Sequence, residues 1–265
     1  LIALPFYREI DVSLLVLIAA DAAGEIMNVY RTPFEIEYKS DCSPLTEADM
    51  RSHGVIASSL LQNFPSIPVL SEESKQVPFE ERKNWNRFWL IDPLDGTKEF
   101  VNRNDDFTVN IALIENGKPV IGVVYVPVTQ ICFVGISGIG AFKIEKGKKS
   151  TQLPKVYDSN FENLSLVRVV ASRSHLSNST LDFVNKLKEN GKNVVFVSRG
   201  SSLKLCMIAE NSADVYPRFS PTMEWDTAAA QAVVESIGKK VLNYATNQPL
   251  SYNKESLENP SFIAY

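Results

Sequence analysis

Two apolar runs, Phe107–Ile114 and Val120–Val126, are joined through Glu115-Asn116-Gly117-Lys118. Asn-Gly in so short a link is the strongest local signal for a hairpin, so the two runs pair antiparallel. Ile131–Val134 and Ala141–Ile144 extend this sheet, and Phe88–Ile91 is a further buried-looking strand that ends at Asp92. Upstream, Phe6–Tyr30 carries helical periodicity, Phe34–Lys39 reads as a strand, and Leu45–Phe64 reads as a second helix entered through Ser43-Pro44. Pro68–Leu70 is a short extended run ending at Ser71-Glu72-Glu73, and the polar stretch Gln76–Asn86 predicts an exposed loop.

After the basic turn Lys146–Ser150 the pattern changes. Strands at Val167–Ala171, Val194–Ser198 and Ala213–Pro217 alternate with helices at Leu181–Glu189, Leu203–Ala209 and Asp226–Ser236. Such alternation predicts a layered α/β half. The expected fold is therefore α+β: an antiparallel N-terminal part over residues 1–152 and an α/β C-terminal part over 153–265.

Composition excludes several functions. Apolar residues make up 45% and charged residues 22% of the 265 positions, as in soluble globular chains. A net charge of -4 argues against a nucleic-acid polymer or a membrane surface as partner, so cations that hold an anionic ligand must be local. Cys42, Cys132 and Cys206 are far apart, with neither C-x-x-C nor a histidine cluster, which predicts no disulfide framework, no zinc site and a reducing cytoplasm. The apolar run Leu14–Ala20 is too short to cross a bilayer, and Asp11 and Asp21 flank it where a secretory signal would be basic.

The chemistry concentrates in Trp89-Leu90-Ile91-Asp92-Pro93-Leu94-Asp95-Gly96-Thr97. An apolar strand delivers Asp92 to a proline-containing turn, and Asp95 follows three residues later. Two carboxylates this close repel each other unless a cation lies between them, and hard oxygen donors suit magnesium or manganese. The turn frees the Leu94 carbonyl as a further ligand, while Gly96 and Thr97 offer amides to a phosphate at a helix start. A D-P-x-D-G segment alone reads equally as a capped turn. An EF-hand loop is excluded because Leu94 and Gly96 occupy its ligand positions. D-x-x-D-G-T also differs by one residue from the D-x-D-G-T of aspartyl-nucleophile haloacid-dehalogenase phosphatases, which in an extended segment reverses the second side chain. Glu72 offers a third carboxylate, and Asp226 in Trp225-Asp226-Thr227 a fourth, although Asp226 also suits a helix N-cap.

Glu72-Glu73, then Asp92 to Thr97, then Trp225 to Ala228, resemble in that order the lithium-sensitive, magnesium-dependent phosphatases of the inositol monophosphatase superfamily. Ser43 to Asp49 fits the superfamily's upstream segment. Gly96-Thr97-Lys98-Glu99-Phe100, Ala171-Ser172-Arg173-Ser174-His175 and Gly200-Ser201-Ser202-Leu203-Lys204 are similar to its CysQ-type 3'(2'),5'-bisphosphate nucleotidase branch. The resemblance implies a layered αβαβα sugar-phosphatase fold and hydrolysis of 3'-phosphoadenosine 5'-phosphate to AMP and phosphate. It implies one magnesium on Glu72, Asp92 and the Leu94 carbonyl, a second on Asp92, Asp95 and Asp226, and a weaker third near Glu72.

By the same resemblance Thr97 paired with Asp49 orients and deprotonates the attacking water, since a neutral hydroxyl is a poor base alone. Substrate would meet Glu72, Leu94, Asp95, Gly96, Thr97 and Asp226, with Lys204 and Arg218 as cations and Ser201 and His175 as hydrogen-bonding groups. His53, Trp85 and Trp89 read as structural. No obligatory protein partner is expected, the chain being a monomer or homodimer. Its place is cytoplasmic, with the cytoplasmic face of the inner membrane left open. Two alternatives remain: a phosphatase for inositol monophosphate or another sugar phosphate, which Lys98-Glu99 and Ser201–Lys204 oppose, and a metal-binding module without turnover, which the intact ligand set opposes.

Overall fold

The computed structural model describes residues 3–34, 36–38, 44–75, 77–157, 160–171 and 177–265. Helix α1 (Val12–Tyr30) starts at Val12 rather than Phe6 because Asp11 caps it, accepting the Ser13 N–H at 2.9 Å. Tyr7 and Ile10 form a small bridge ahead of the cap. Then follow β1 (Ile36–Tyr38), β2 (Pro44–Thr46), α2 (Glu47–Asn63), β3 (Val69–Ser71), α3 (Phe79–Arg82), β4 (Arg87–Asp95) and α4 (Thr97–Val101). The meander β5 (Thr108–Glu115), β6 (Lys118–Val126), β7 (Ile131–Ile136), β8 (Gly140–Ile144) and β9 (Thr151–Gln152) completes a seven-stranded sheet in chain order from β3. Every neighbouring pair is antiparallel except β3–β4, which is parallel.

Alternation along β4 explains how both faces of this sheet are used. Trp89 and Ile91 point into the core shared with α1 and α2, whereas Phe88 and Leu90 point into the core on the opposite face. With both faces buried, the strand reads as a continuous apolar run. Helix α1 is 19 residues long with a mean hydropathy of 1.7, enough to cross a membrane by length and composition. Here Leu15, Ile18, Ala22 and Ile26 are buried in the first core, which accounts for that apolarity.

The chain continues with β10 (Leu166–Ala171), α5 (Asn178–Glu189), β11 (Asn193–Ser198), α6 (Leu203–Ala209), β12 (Tyr216–Arg218), α7 (Glu224–Ser236), β13 (Val241–Asn243) and β14 (Phe262–Ala264). β10 and β11 are parallel, and β14 lies antiparallel between β12 and β13. A bridge between Val169 and Val215, with Val170 N–H donating to the Val215 carbonyl at 2.9 Å, stitches the two small sheets into one layer. Helices α1 and α2, the large sheet, α6 and α7, the small sheets, and α5 stack as αβαβα.

Helix α7 lies directly on the large sheet. A Cβ on Gly122 would fall 2.0 Å from the Ala229 carbonyl oxygen, and one on Gly135 would fall 2.4 Å from that of Ala232. These cross-strand partners therefore form the floor on which the alanine face of α7 rests. That close seating carries the N-terminus of α7 toward β4, where the acidic groups converge.

Other stretches depart from expectation too. The predicted loop Gln76–Asn86 contains α3, and Arg82 is only 2% exposed. Its guanidinium donates to Asn253 Oδ1, the Lys254 carbonyl and the Glu255 carbonyl at 2.9, 2.6 and 2.9 Å, which offsets the cost of burial. Strands β13 and β14, three residues each, are too short to display a measurable period.

Candidate active site

β4 does not stop at Asp92. It runs to Asp95 with an irregularity: Asp92 lies opposite Asn110 and Asp95 opposite Thr108, so Pro93 and Leu94 together face the place of Val109. This is a bulge, not the expected turn. Pro93, lacking an N–H, is tolerated at such a position. The bulge has a chemical consequence. In a regular strand, side chains three residues apart point to opposite faces; the extra residue brings Asp95 back to the side of Asp92. The reversal inferred from D-x-x-D spacing is thus undone, and the fold, not that spacing, separates this site from aspartyl-nucleophile phosphatases. Asp92 Oδ1 accepts the Leu94 N–H at 3.1 Å, and the Ser52 hydroxyl holds the Pro93 carbonyl at 2.7 Å. Gly96 follows at φ +89°, where a side chain would be strained and would crowd the Asp106 carbonyl and Ser201.

Asp49 and Asp226 arrive from helix N-termini. Asp49, 1% exposed, is the third residue of α2 and closes a capping box with Thr46: its Oδ2 accepts the Thr46 N–H at 2.8 Å and the Thr46 hydroxyl at 2.7 Å. Its Oδ1 lies 3.3 Å from Thr97 Oγ1, which is also 3.2 Å from the Leu94 carbonyl. Asp226 is likewise the third residue of its helix and not its N-cap. Met223 takes the cap position, and Asp226 Oδ2 accepts the Met223 N–H at 2.8 Å. Each carboxylate spends one oxygen on the helix and keeps one for the site.

Carboxylate oxygens of Asp92, Asp95 and Asp226 lie within 4.8 Å of one another. Burial, then the charges of Glu72, Asp95, Asp226 and Asp49, pushes the Asp92 carboxyl well above its ordinary range. Burial and then Asp95 raise Asp226 to about 8. Burial raises Asp49 to about 6 against the opposing Thr46 bonds, with Glu73 and Glu72 adding to the rise. Mutual repulsion among hard oxygen donors in a buried cluster is what a divalent cation relieves, so the donor set fits magnesium.

A cleft of about 260 Å³ opens beside the cluster. Asp95, Gly96 and Asp226 line it together with Ser201, Lys204 and Arg218. Lys204 is 8% exposed, and its ammonium stands 5.9 Å over the Tyr216 ring. Burial lowers its pKa, and Asp95, Glu99 and Asp226 oppose that effect. Arg218 is steadied by the Ser220 and Pro221 carbonyls, each at 3.2 Å. The Ser201 hydroxyl is buried without a hydrogen-bond partner. His175 and the Ser172–Ser174 stretch before it lie outside the described residues. His53 stands apart from the cleft lining, its Nδ1 2.9 Å from Ser71 Oγ.

Sequence reading passed over Asn110, Thr108 and Tyr216, and quoted Ser202 and Glu99 within motifs without giving either a role of its own. Ser202, inside the Gly200–Lys204 signal, bonds Asp95, while Asn110 and Thr108 are the polar interruptions of an otherwise apolar strand. Glu99 and Tyr216 line the cleft, from α4 and β12.

Residues 10–263 match the inositol monophosphatase family. The chain belongs to that family. It is 44% identical over 249 residues to the 3'(2'),5'-bisphosphate nucleotidase CysQ of Salmonella typhimurium, spanning 92% of this chain and 95% of that one. The CysQ of Buchnera aphidicola is 37% identical over 244 residues, 89% of this chain and 88% of the relative. Among solved structures, CysQ from Bacteroides thetaiotaomicron aligns with a TM-score of 0.84 at 40% identity, covering 97% and 98% of the two chains. An inositol monophosphatase from Thermotoga maritima shares the fold at 19% identity, with a TM-score of 0.74 over 95% and 90%. The αβαβα layering is that of this family. Family members are metal-dependent phosphatases, and the Asp92, Asp95 and Asp226 cluster is a donor set that could hold such a metal.

Proposed function

We propose that the chain hydrolyses the 3'-phosphate of 3'-phosphoadenosine 5'-phosphate, giving AMP and phosphate. The carrying observation is the cleft itself, lined both by the carboxylates Asp95 and Asp226 and by the cations Lys204 and Arg218. A substrate with two phosphates suits such a site: one at the carboxylate-held metal, the other at the cations. Similarity to two CysQ bisphosphate nucleotidases supports the same reading. Glu72, Asp92, the Leu94 carbonyl, Asp95 and Asp226 would hold two magnesium ions, with a third and weaker ion beside Glu72. Bound there, magnesium supplies Lewis acidity and positive charge to the phosphoryl group and lowers the pKa of water.

The chain's own residues do the rest. Thr97 accepts a hydrogen bond from the attacking water while its hydroxyl points to Asp49. Asp49, with a pKa of about 6, is ionised at neutral pH yet basic enough to draw the proton through Thr97. Water oxygen bonds to phosphorus as the bond from phosphorus to the ribose 3'-oxygen breaks, and that oxygen takes up a proton. Lys204 grips the remaining phosphate as a point charge, Arg218 grips it through a planar fork, and Ser201 adds a hydrogen bond. Burial of Lys204 against Tyr216 strengthens its attraction for an entering anion.

Phosphate release in magnesium from 3'-phosphoadenosine 5'-phosphate, inositol 1-phosphate and fructose 1,6-bisphosphate tests the proposal. The adenosine bisphosphate should be turned over most efficiently by kcat/KM. Preference for either sugar phosphate would replace it.

A further inference from the structure

Ser202 is a buried hydroxyl, 3% exposed, to which the chemistry above gives no task. Its backbone N–H and its hydroxyl both lie 2.6 Å from Asp95 Oδ2. Asn110 Nδ2 donates to Ser202 Oγ at 2.8 Å and reaches Asp95 Oδ2 at 3.3 Å. The hydroxyl is also 2.9 Å from the Asp226 carbonyl. It has one proton for two acceptors. The carboxylate is nearer and the stronger acceptor, and the Asn110 amide occupies a hydroxyl lone pair, so the proton goes to Asp95. Thr108 Oγ1 adds a longer contact to the same oxygen at 3.5 Å. Each of these donors falls on Oδ2.

Asp95 comes from the large sheet, and Ser202 from the turn that opens α6 in the C-terminal part. We infer that Ser202, backed by Asn110, is a positioning residue: it fixes Asp95 through Oδ2 so that Oδ1 is the oxygen offered to the metal. It also ties that ligand to the turn that opens α6. The inference rests on the metal reading of the carboxylate cluster. Outer contacts of this kind orient ligands without touching the ion.

Calorimetric titration of metal-free protein with magnesium tests this apart from turnover. Wild-type protein must bind magnesium; if it does not, the metal reading itself fails. Given that binding, Ser202→Ala should weaken magnesium affinity about 10-fold, the lower end for loss of such a support. At saturating magnesium its KM for the bisphosphate should stay within about twofold, because the cations are untouched. Ser202→Thr keeps the hydroxyl and should restore affinity. If Ser202→Ala does not fold, Asn110→Ala decides, with a smaller loss in the same direction. A folded Ser202→Ala with wild-type affinity would overturn the inference. So would a Ser202→Thr that melts like wild type but binds as weakly as the alanine variant. Where only Asn110→Ala folds, wild-type affinity in that variant would overturn it too.

Discussion

Helices α2 and α7 begin with the same device and put it to different uses. In each, an aspartate at the third helical position returns one oxygen to the cap residue's N–H. In α2 the box is complete, because the Thr46 hydroxyl also receives the Ala48 N–H and bonds Asp49. In α7 the cap is Met223, which has no hydroxyl, so Asp226 alone serves the cap. The second oxygens then meet different surroundings. Asp49 faces Thr97 and titrates at about 6; Asp226 faces two other carboxylates and titrates at about 8. In the mechanism we propose, one local motif thus places a proton acceptor at one helix and a cation ligand at the other, and the packing around the free oxygen makes the difference.

Removing each charge while keeping its shape separates the two roles. Asp226→Asn should lower kcat/KM about 1,000-fold, since metal charge contributes several kcal/mol to the transition state. Its magnesium affinity should fall with it. Asp49→Asn should lower kcat about 100-fold, in the range of a lost proton acceptor, while magnesium affinity holds. Equal loss of magnesium binding in both would erase the distinction. In wild type the Asp49 step predicts a kcat that declines tenfold per pH unit below about 6, as Asp49 becomes protonated. Asp49→Asn should lose that limb.

Stability against pH probes the α7 side. The unfolded carboxyl of Asp226 titrates near 3.8 and the folded one near 8, so the folded state holds more protons between these values. Metal-free protein should therefore lose stability as pH rises from about 4 to 8. Magnesium should flatten this trend in melting curves, and the same slope with and without magnesium would contradict it. The smallest effect belongs to the α2 cap: Thr46→Ala should cost about 1 kcal/mol, a melting shift of about 2–4 °C.

Much of this cluster was legible because its acidic residues lie in short stretches with strong local meaning. The apolar run before Asp92, the Gly96 that follows Asp95, and the alanines after Asp226 each mark a backbone transition. What escaped was set by partners distant in sequence. The bulge at Pro93-Leu94 exists only against β5, so a proline after an apolar run read as a turn. Asp226 looked like an N-cap because nothing local announces Met223 in that place. Ser202 acquires its role from Asp95, more than a hundred residues earlier, and Arg82 reads as solvated until residues 253–255 surround it. Strands β13 and β14 owe their order to pairing with each other, and β14 also to pairing with β12.

The central claim is that phosphate hydrolysis depends on a cation held by these carboxylates. Phosphate release from 3'-phosphoadenosine 5'-phosphate, followed across a magnesium titration in wild type and in Asp95→Asn, measures it most directly. Wild type should be silent in chelator and rise with magnesium, and Asp95→Asn should stay at background throughout. Undiminished release by wild type in chelator, or most of the activity surviving in Asp95→Asn, would contradict the account.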